Sequence, residues 1–169
     1  MLEAGEATDL TLDPQTWVHH NKAKHGGGIS IRANESNSIT DGNPIAYTVR
    51  FELNGAAVYE NQASNNGGGI YFKADSFEDD EKKQAEVDAY TKEILINAGT
   101  GTTAAVYKNT AGNNGGGIFM NSSEDTTLQV TGGYISGNKA DCDAEGAGDG
   151  TGNGGGIYMT GKNATCIIN

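Results

Sequence analysis

A short glycine-rich motif is repeated four times along the chain. Gly-Gly-Gly-Ile occurs at residues 26–29, 67–70, 115–118 and 154–157. An apolar residue, two variable residues and Asn-x-Ala precede each copy, giving the half-motifs VHHNKA, VYENQA, VYKNTA and ISGNKA. Because self-similarity at such spacings is typical of repeat architectures, the chain is predicted to consist of stacked structural units.

Each repeat contains apolar segments with the alternation of a half-buried β-strand. The tails that begin with the Ile of each motif are ISIR, IYFK, IFMN and IYMT, and a further apolar segment follows each tail (YTVRFEL, EILIN, TLQV and TCIIN). One unit cannot bury its apolar face alone, whereas stacked units pair their strands in parallel and share a core. Glycine triplets would break the helices of a helical solenoid. We therefore predict an all-β solenoid, a parallel β-helix of about four irregular coils.

Two recurrent positions are predicted to shape the corners between strands. Tight corners need left-handed backbone conformations, which Gly and Asn adopt at little cost. The recurrent Asn side chains are expected to hydrogen-bond from coil to coil as a ladder. These structural positions are Gly26, Gly67, Gly115 and Gly154, together with Asn21, Asn61, Asn109 and Asn138.

The irregular spacing of the motif indicates inserted loops at about 33–44, 75–92 and 141–153. The second insertion contains FEDDEKKQAEVDAYTKE, whose composition favours a short helix or a protruding loop. Residues 1–169 are interpreted as one β-helix segment. Both ends fall within a repeat, so a longer surface protein is expected to contain it.

The pairing of apolar-x-x-Asn with Gly-Gly-Gly-Ile resembles the right-handed parallel β-helix repeats of bacterial and archaeal surface proteins. It is similar to the chlamydial polymorphic outer membrane proteins, whose repeats pair Phe-x-x-Asn with Gly-Gly-Ala-Ile. Here Val or Ile replaces the Phe and Gly replaces the Ala, over a span from roughly Leu10 to Asn169. The resemblance implies a right-handed β-helix in a secreted, cell-surface protein with an adhesive or structural role. Polysaccharide lyases and hydrolases also use this fold, so an enzyme and a non-binding spacer remain alternatives.

The net charge of the chain restricts the classes of partner that it is expected to bind. Acidic residues outnumber basic ones 22 to 11, for a net charge of −11. This balance argues against binding to nucleic acid and to an anionic membrane surface. No segment approaches the ~18 apolar residues of a transmembrane helix. A glycan or a host or microbial surface protein is the expected partner, and unpaired strand edges at the end coils favour self-association.

Aromatic residues recur at positions that strand alternation turns outward. Exposed columns of this kind offer a flat surface to sugar rings or to a protein partner. Loops folded over the columns would instead make them sheet stabilisers. The candidate ligand-binding residues are Tyr71, Phe119 and Tyr158 in one column, and Tyr59 and Tyr107 in a second column beside His19. Trp17 precedes the first half-motif and is expected to cover the core end or lie at the surface edge.

The third insertion carries two further candidates. Carboxylates spaced two apart among glycines are typical of an oxygen-rich Ca²⁺ site, with a solvated acidic loop as the alternative. No other cofactor is expected. The calcium candidates are Asp141, Asp143, Glu145 and Asp149. Cys142 and Cys166 are 24 residues apart, a spacing that would let them meet on neighbouring coils and form a disulfide.

The remaining polar residues give weak evidence for metal binding or catalysis. His19 and His20 are predicted to point to opposite faces of a strand, which argues against a shared metal ion. Glu52 and Glu93 are predicted to face outward as carboxylates for a hydrolase, but the sequence offers no partner that pairs them.

Overall fold

The computed structural model describes residues 2–4, 7–33, 47–74, 90–122, 125–140 and 152–169. Regular structure in these ranges consists of β-strands, which form four sheets labelled here A to D. Strand pairing within every sheet is parallel. The prediction of an all-β chain with parallel sheets is confirmed.

Sheets A and B have five strands each. Sheet A consists of β1 (Leu2–Ala4), β5 (Ile29–Ala33), β9 (Ile70–Ala74), β13 (Ile118–Ser122) and β16 (Ile157–Gly161). Sheet B consists of β2 (Ala7–Leu12), β6 (Tyr47–Asn54), β10 (Tyr90–Asn97), β14 (Thr126–Thr131) and β17 (Ala164–Ile168). The predicted strand tails and third apolar segments correspond to β5, β6 and their counterparts in the later repeats.

Sheets C and D are formed by shorter strands from the half-motifs. Sheet C consists of β3 (Trp17–His19), β7 (Ala57–Tyr59), β11 (Ala104–Tyr107) and β15 (Gly133–Ser136). Sheet D consists of β4 (Lys22–Ala23), β8 (Gln62–Ala63) and β12 (Thr110–Ala111). A single bridge from Thr110 to Lys139 continues sheet D into the fourth repeat.

The chain visits the sheets in the order A, B, C and D and then returns to A. Each strand pairs with the strand at the same place in the next repeat, so sheet A has the order β1-β5-β9-β13-β16. The motif isoleucines lie opposite one another across sheet A, from Ile29 through Ile70 and Ile118 to Ile157. Equivalent residues of successive repeats are therefore spatial neighbours.

Alternate residues of sheets A, B and C pack into one shared core. Phe72 of sheet A, Phe51 of sheet B and Val58 of sheet C are fully buried, as are Ile118 and Val106 in the next repeat. Burying a side chain of this size contributes about 1.5–3 kcal/mol relative to its exposure. The core that a single repeat lacks is thus supplied by its neighbours.

Each glycine of the first three triplets satisfies a steric demand. The first has a left-handed backbone, with φ of +62° at Gly26, +68° at Gly67 and +64° at Gly115 and Gly154. A Cβ added to Gly68 would lie 2.5 Å from the carbonyl oxygen of Thr110 in the next repeat. A Cβ on Gly69 would lie 2.9 Å from Asn109 Nδ2. The triplets therefore let backbones of successive repeats approach closely.

The half-motif asparagines form a continuous hydrogen-bonded row, which we call the inner Asn row (Asn21, Asn61, Asn109 and Asn138). Asn109 is fully buried. Its Oδ1 accepts from the backbone N–H and the side-chain amide of Asn61, each at 3.0 Å. Its own amide donates to Asn138 Oδ1 and to the Val58 carbonyl, each at 3.0 Å. The ladder expected from the sequence is present.

A second row, the triplet Asn row, consists of the residues that precede three of the glycine triplets (Asn66, Asn114 and Asn153). The backbone N–H of Asn114 donates to Asn66 Oδ1 at 3.1 Å. The backbone N–H and side-chain amide of Asn153 donate to Asn114 Oδ1, also at 3.1 Å. In this row the donor belongs to the later repeat and the acceptor to the earlier one. The inner Asn row has the reverse direction. His25 takes this place in the first repeat.

The bounds predicted for two insertions differ from the loop bounds in the structure. Ala33 is the last residue of β5, and β10 already begins at Tyr90, so the insertions predicted at 33–44 and 75–92 overlap strands. Residues 34–46, 75–89 and 141–151 lie outside the described residues, and with them most of the segment of helical composition. Two strands, β1 and β2, precede the first half-motif and were not predicted.

Candidate binding faces

The first predicted aromatic column lies on the outer face of sheet A. Ser30, Tyr71, Phe119 and Tyr158 occupy paired positions on successive strands. The rings of Tyr71 and Phe119 are 5.1 Å apart at an angle of 3°, and those of Phe119 and Tyr158 are 5.4 Å apart at 11°. Parallel rings at these separations are offset-stacked, so each covers part of its neighbour's face.

The prediction that this column is exposed is wrong for its two central members. Tyr71 is 6% exposed and Phe119 is 5% exposed, while Tyr158 is half-buried. Strand alternation places these residues opposite the core, but it does not determine whether other parts of the chain cover them. With their faces stacked and their edges buried, Tyr71 and Phe119 present little surface to a sugar.

Two basic side chains pack at the end of this column. The His25 ring is 4.9 Å from the Tyr71 ring, and the Arg32 guanidinium lies 5.6 Å from its centroid. Burial, Arg32 and Lys24 together lower the pKa of His25. Among the described residues, His25 Nδ1 is buried and has no hydrogen-bond partner. At His25 the first repeat therefore lacks the Oδ1 acceptor that an Asn side chain provides in the later repeats.

Replacing His25 with Asn is expected to stabilise the protein, most strongly at acidic pH. Because the pKa of His25 is lowered on folding, the unfolded chain binds more protons, and stability falls as the pH drops below 6.5. His25→Asn removes this loss and supplies an Oδ1 that can accept from Asn66, for a gain of about 1 kcal/mol.

The measurement is urea unfolding of parent and variant at pH 5 and pH 7.5. His25→Gln is the matched control, because it removes the imidazole without restoring the geometry of the row. His25→Gln should reduce the pH dependence of the free energy of unfolding, but it should stabilise the protein less than His25→Asn does. An unchanged pH dependence in both variants would contradict the assignment.

The second aromatic column lies on the outer face of sheet C and is more accessible. Its rings stack in a row, with 4.9 Å between His19 and Tyr59 and 4.9 Å between Tyr59 and Tyr107. Tyr59 and Tyr107 are half-buried and His19 is exposed. Partial burial, the two flanking tyrosines and Glu60 raise the pKa of Tyr107, so its hydroxyl remains a neutral donor at physiological pH.

A parallel row on the same face holds two exposed aromatic side chains. Trp17 pairs with Ala57, Ala57 with Ala105, and Ala105 with Tyr134. Trp17 is 66% exposed and Tyr134 is 47% exposed. The Tyr134 ring is 6.0 Å from that of Tyr107, at an angle of 35°. Two small side chains thus separate two large aromatics, beside the stacked row. We call this surface the C face.

The corner next to the C face carries a row of polar, ionisable residues with left-handed backbones. His20, Glu60 and Lys108 have φ of +57°, +52° and +53°. Glu60 lies 3.0 Å from His20 Nε2 and 3.6 Å from Lys108 Nζ. The expectation that His19 and His20 point to opposite faces is wrong, because β3 ends at His19 and the chain turns at His20. Their Nδ1 atoms are 2.7 Å apart.

Carboxylates on the outer face of sheet B are held by one arginine. Arg50 contacts Glu52 at 2.6 Å, Glu93 at 2.9 Å and Asp9 at 3.4 Å. Burial lowers the pKa of Arg50, but the hydrogen bond to Glu52 and the nearby carboxylates outweigh it and raise the pKa overall. Arg50 therefore links Glu52 and Glu93, a connection that the sequence analysis did not predict. Sequence reasoning missed Arg50, although its strand position beside Glu52 was visible.

The calcium and disulfide candidates fall largely outside the described residues. Asp141, Asp143, Glu145, Asp149 and Cys142 all lie in the segment 141–151. Cys166 is exposed and has a free thiol. Within the ranges that the structure describes, no group of three His, Cys, Asp or Glu side chains is arranged to hold a metal ion.

Comparison of the chain with protein-family models, curated proteins and solved structures gave no match. In the described part of the chain, no helix has the length and apolar character needed to cross a bilayer.

Proposed function

We propose that this chain is an extracellular segment of an adhesin-like surface protein, folded as a right-handed parallel β-helix, and that its C face binds a glycan. The cyclic order of the sheets supports the fold, since each repeat pairs in register with the next. The two Asn rows and the shared core support it further, because solenoids are stabilised mainly at the interfaces between repeats.

The observation that carries the proposed binding role is the exposure of Trp17 and Tyr134 on one sheet face. Between them lie Ala57, which is half-buried, and Ala105, which is buried, beside the rings of Tyr59 and Tyr107. Sugars bind aromatic faces through their apolar C–H surfaces, and exposed aromatic patches mark interaction sites. Short strands in sheet C also hold these side chains on a rigid support.

The column on sheet A favours a second candidate, a structural spacer. Buried, stacked rings such as Tyr71 and Phe119 stabilise neighbouring strands and need no ligand. The two roles are compatible, because sheets A and C present different faces. A spacer without a binding function predicts that the C face is inert as well.

The enzyme alternative depends on Glu52 and Glu93. A glycoside hydrolase needs one carboxyl group as acid and another as base or nucleophile, at a fixed separation. Contact of both carboxylates with Arg50 favours a structural ion-pair network instead. Reducing-sugar release from a polysaccharide panel, abolished by Glu93→Gln, would favour the enzyme.

The binding proposal is tested on a glycan array with the parent protein and a Trp17→Ala/Tyr134→Ala double variant. Both side chains are exposed, so the variant should fold normally by circular dichroism. Loss of two sugar-stacking rings is expected to weaken binding about tenfold. Tyr158→Ala is the matched control, because it removes an aromatic from the other face and should leave binding unchanged.

Other outcomes distinguish the alternatives. Loss of binding in Tyr158→Ala alone would move the site to sheet A. Absence of binding to every glycan would overturn the sugar proposal and favour a spacer or a protein-directed adhesin.

A further inference from the structure

We propose that the ligand of the C face is an anionic polysaccharide, bearing carboxylate or sulfate groups, that extends from the aromatic rings onto the neighbouring outer surface of sheet D. This inference rests on the proposed glycan binding and specifies its chemical class. It concerns a surface that the sequence alone did not single out.

Sheet D presents a row of hydrogen-bond donors beside the C face, which we call the donor row (Lys22, Gln62, Thr110 and Lys139). These residues occupy paired positions on successive strands. The alternate residues Ala63 and Ala111 are buried, so the donor row faces away from the core. Lys22 and Lys139 are exposed. A chain of anionic groups running along the repeats would meet a donor on every strand.

The corner between the C face and the donor row adds one further cationic group, Lys108. His20 and Lys108 are exposed there, and Glu60 lies between them. Glu60 contacts both, and this one carboxylate is outnumbered by the exposed lysines around it, Lys22, Lys108 and Lys139. Lys24, one residue beyond β4, is also exposed. The edge of the aromatic surface is therefore basic.

The acidic charge of the protein lies elsewhere in the sequence. The described residues contain nine Lys and Arg against seven Asp and Glu, whereas the whole chain has 11 against 22. Among the described carboxylates, Asp9, Glu52 and Glu93 are on sheet B and contact Arg50. Within the described residues, basic side chains therefore outnumber acidic ones.

The aromatic and basic surfaces match the two chemical features of an acidic sugar. The exposed rings of Trp17 and Tyr134 suit the apolar side of a pyranose, while lysine ammonium groups suit its carboxylates or sulfates. The Tyr107 hydroxyl, which lies between the two surfaces, can donate to either kind of oxygen. A neutral glycan would use only the aromatic surface.

The test compares matched polymers that differ only in charge: carboxymethylcellulose with hydroxyethylcellulose, and dextran sulfate with dextran. Binding to the full chain is measured by biolayer interferometry over a series of salt concentrations. We expect the anionic member of at least one pair to bind more tightly, with affinity that decreases as salt rises. Lys22→Gln/Lys139→Gln should weaken that binding about tenfold.

Lys162→Gln is the matched control, because Lys162 is exposed but lies in the turn between β16 and β17. It should change affinity less than twofold, roughly the effect of one distant exposed charge. Gln is a mild replacement, since Gln62 already occupies the donor row.

The outcomes separate the two proposals. Equal binding of charged and neutral partners, lost in Trp17→Ala/Tyr134→Ala, would overturn the anionic class and leave glycan binding intact. No binding to any polysaccharide would overturn both. Equal competition by a DNA oligonucleotide of matched charge would show a general polyanion surface and overturn the polysaccharide assignment.

Discussion

Replacing Gly68 with Ala is expected to lower the free energy of unfolding by more than about 3 kcal/mol, because the added methyl group would enter the backbone of the next repeat. The new Cβ would lie 2.5 Å from the Thr110 carbonyl oxygen and closer still to that of Gly116. Neither atom can rotate away as a side chain can. Repeats two and three would have to separate, and their strand pairing and core contacts would weaken together.

Urea unfolding followed by circular dichroism measures this effect. Gly101→Ala is the matched control, since Gly101 has φ of +73° but no atom within 4 Å of an added Cβ. Its cost should be about 1 kcal/mol, from backbone conformation alone. Similar losses in the two variants would show that close approach of the repeats is not what Gly68 provides.

Asn109→Ala is the second substitution with a large expected effect, about 4 kcal/mol. Four hydrogen bonds of the Asn109 side chain would be lost, and each contributes about 1 kcal/mol. The groups on Asn61 and Val58 that these bonds join would lose a partner in the interior, which makes the loss costly, while Asn138 Oδ1 still accepts from the backbone N–H of residue 109.

Asn21→Ala provides the comparison at the exposed end of the same row. Among the described residues, the bond that would be lost is that of its side-chain amide to Asn61 Oδ1, since the backbone N–H of residue 21 still donates there. The expected cost is below about 1 kcal/mol. Denaturant unfolding of both variants tests the difference, and equal costs would contradict a buried, cooperative row.

Local periodicity was sufficient to predict the strands that follow each glycine triplet and their alignment. The recurrence of Gly-Gly-Gly-Ile placed Ile29 opposite Ile70, and the recurrence of Asn-x-Ala gave the inner Asn row. Both predictions depend only on equivalent residues becoming neighbours when repeats stack. The triplet Asn row was equally visible at Asn66, Asn114 and Asn153, and a comparison of the residues before each triplet would have found it.

Exposure and ring orientation could not be obtained in this way. Alternation assigned Tyr71 and Phe119 to the outer face, but their burial depends on packing by other segments. Ring orientation depends on side-chain rotamers and on the separation of neighbouring strands, which stacks the rings instead of laying them flat. The exposed pair Trp17 and Tyr134 was missed because two alanines separate them in the row.

The geometry of the corner beside the C face was missed for a different reason. Strand alternation was extended through His20, although the chain already turns there. The fourth repeat gave a signal, since Gly137 stands at the place of His20, Glu60 and Lys108. A glycine at one copy of a repeated position indicates a left-handed backbone in all copies.

The connections between sheets A and B differ in length while the strands they join keep their register. Fifteen residues separate β9 from β10, three separate β13 from β14, and two separate β16 from β17. Loop closure becomes only slowly more costly with length, so this corner can accommodate foreign sequence. A peptide epitope or a small domain grafted between β13 and β14 would be displayed by a scaffold whose remaining surfaces stay unchanged.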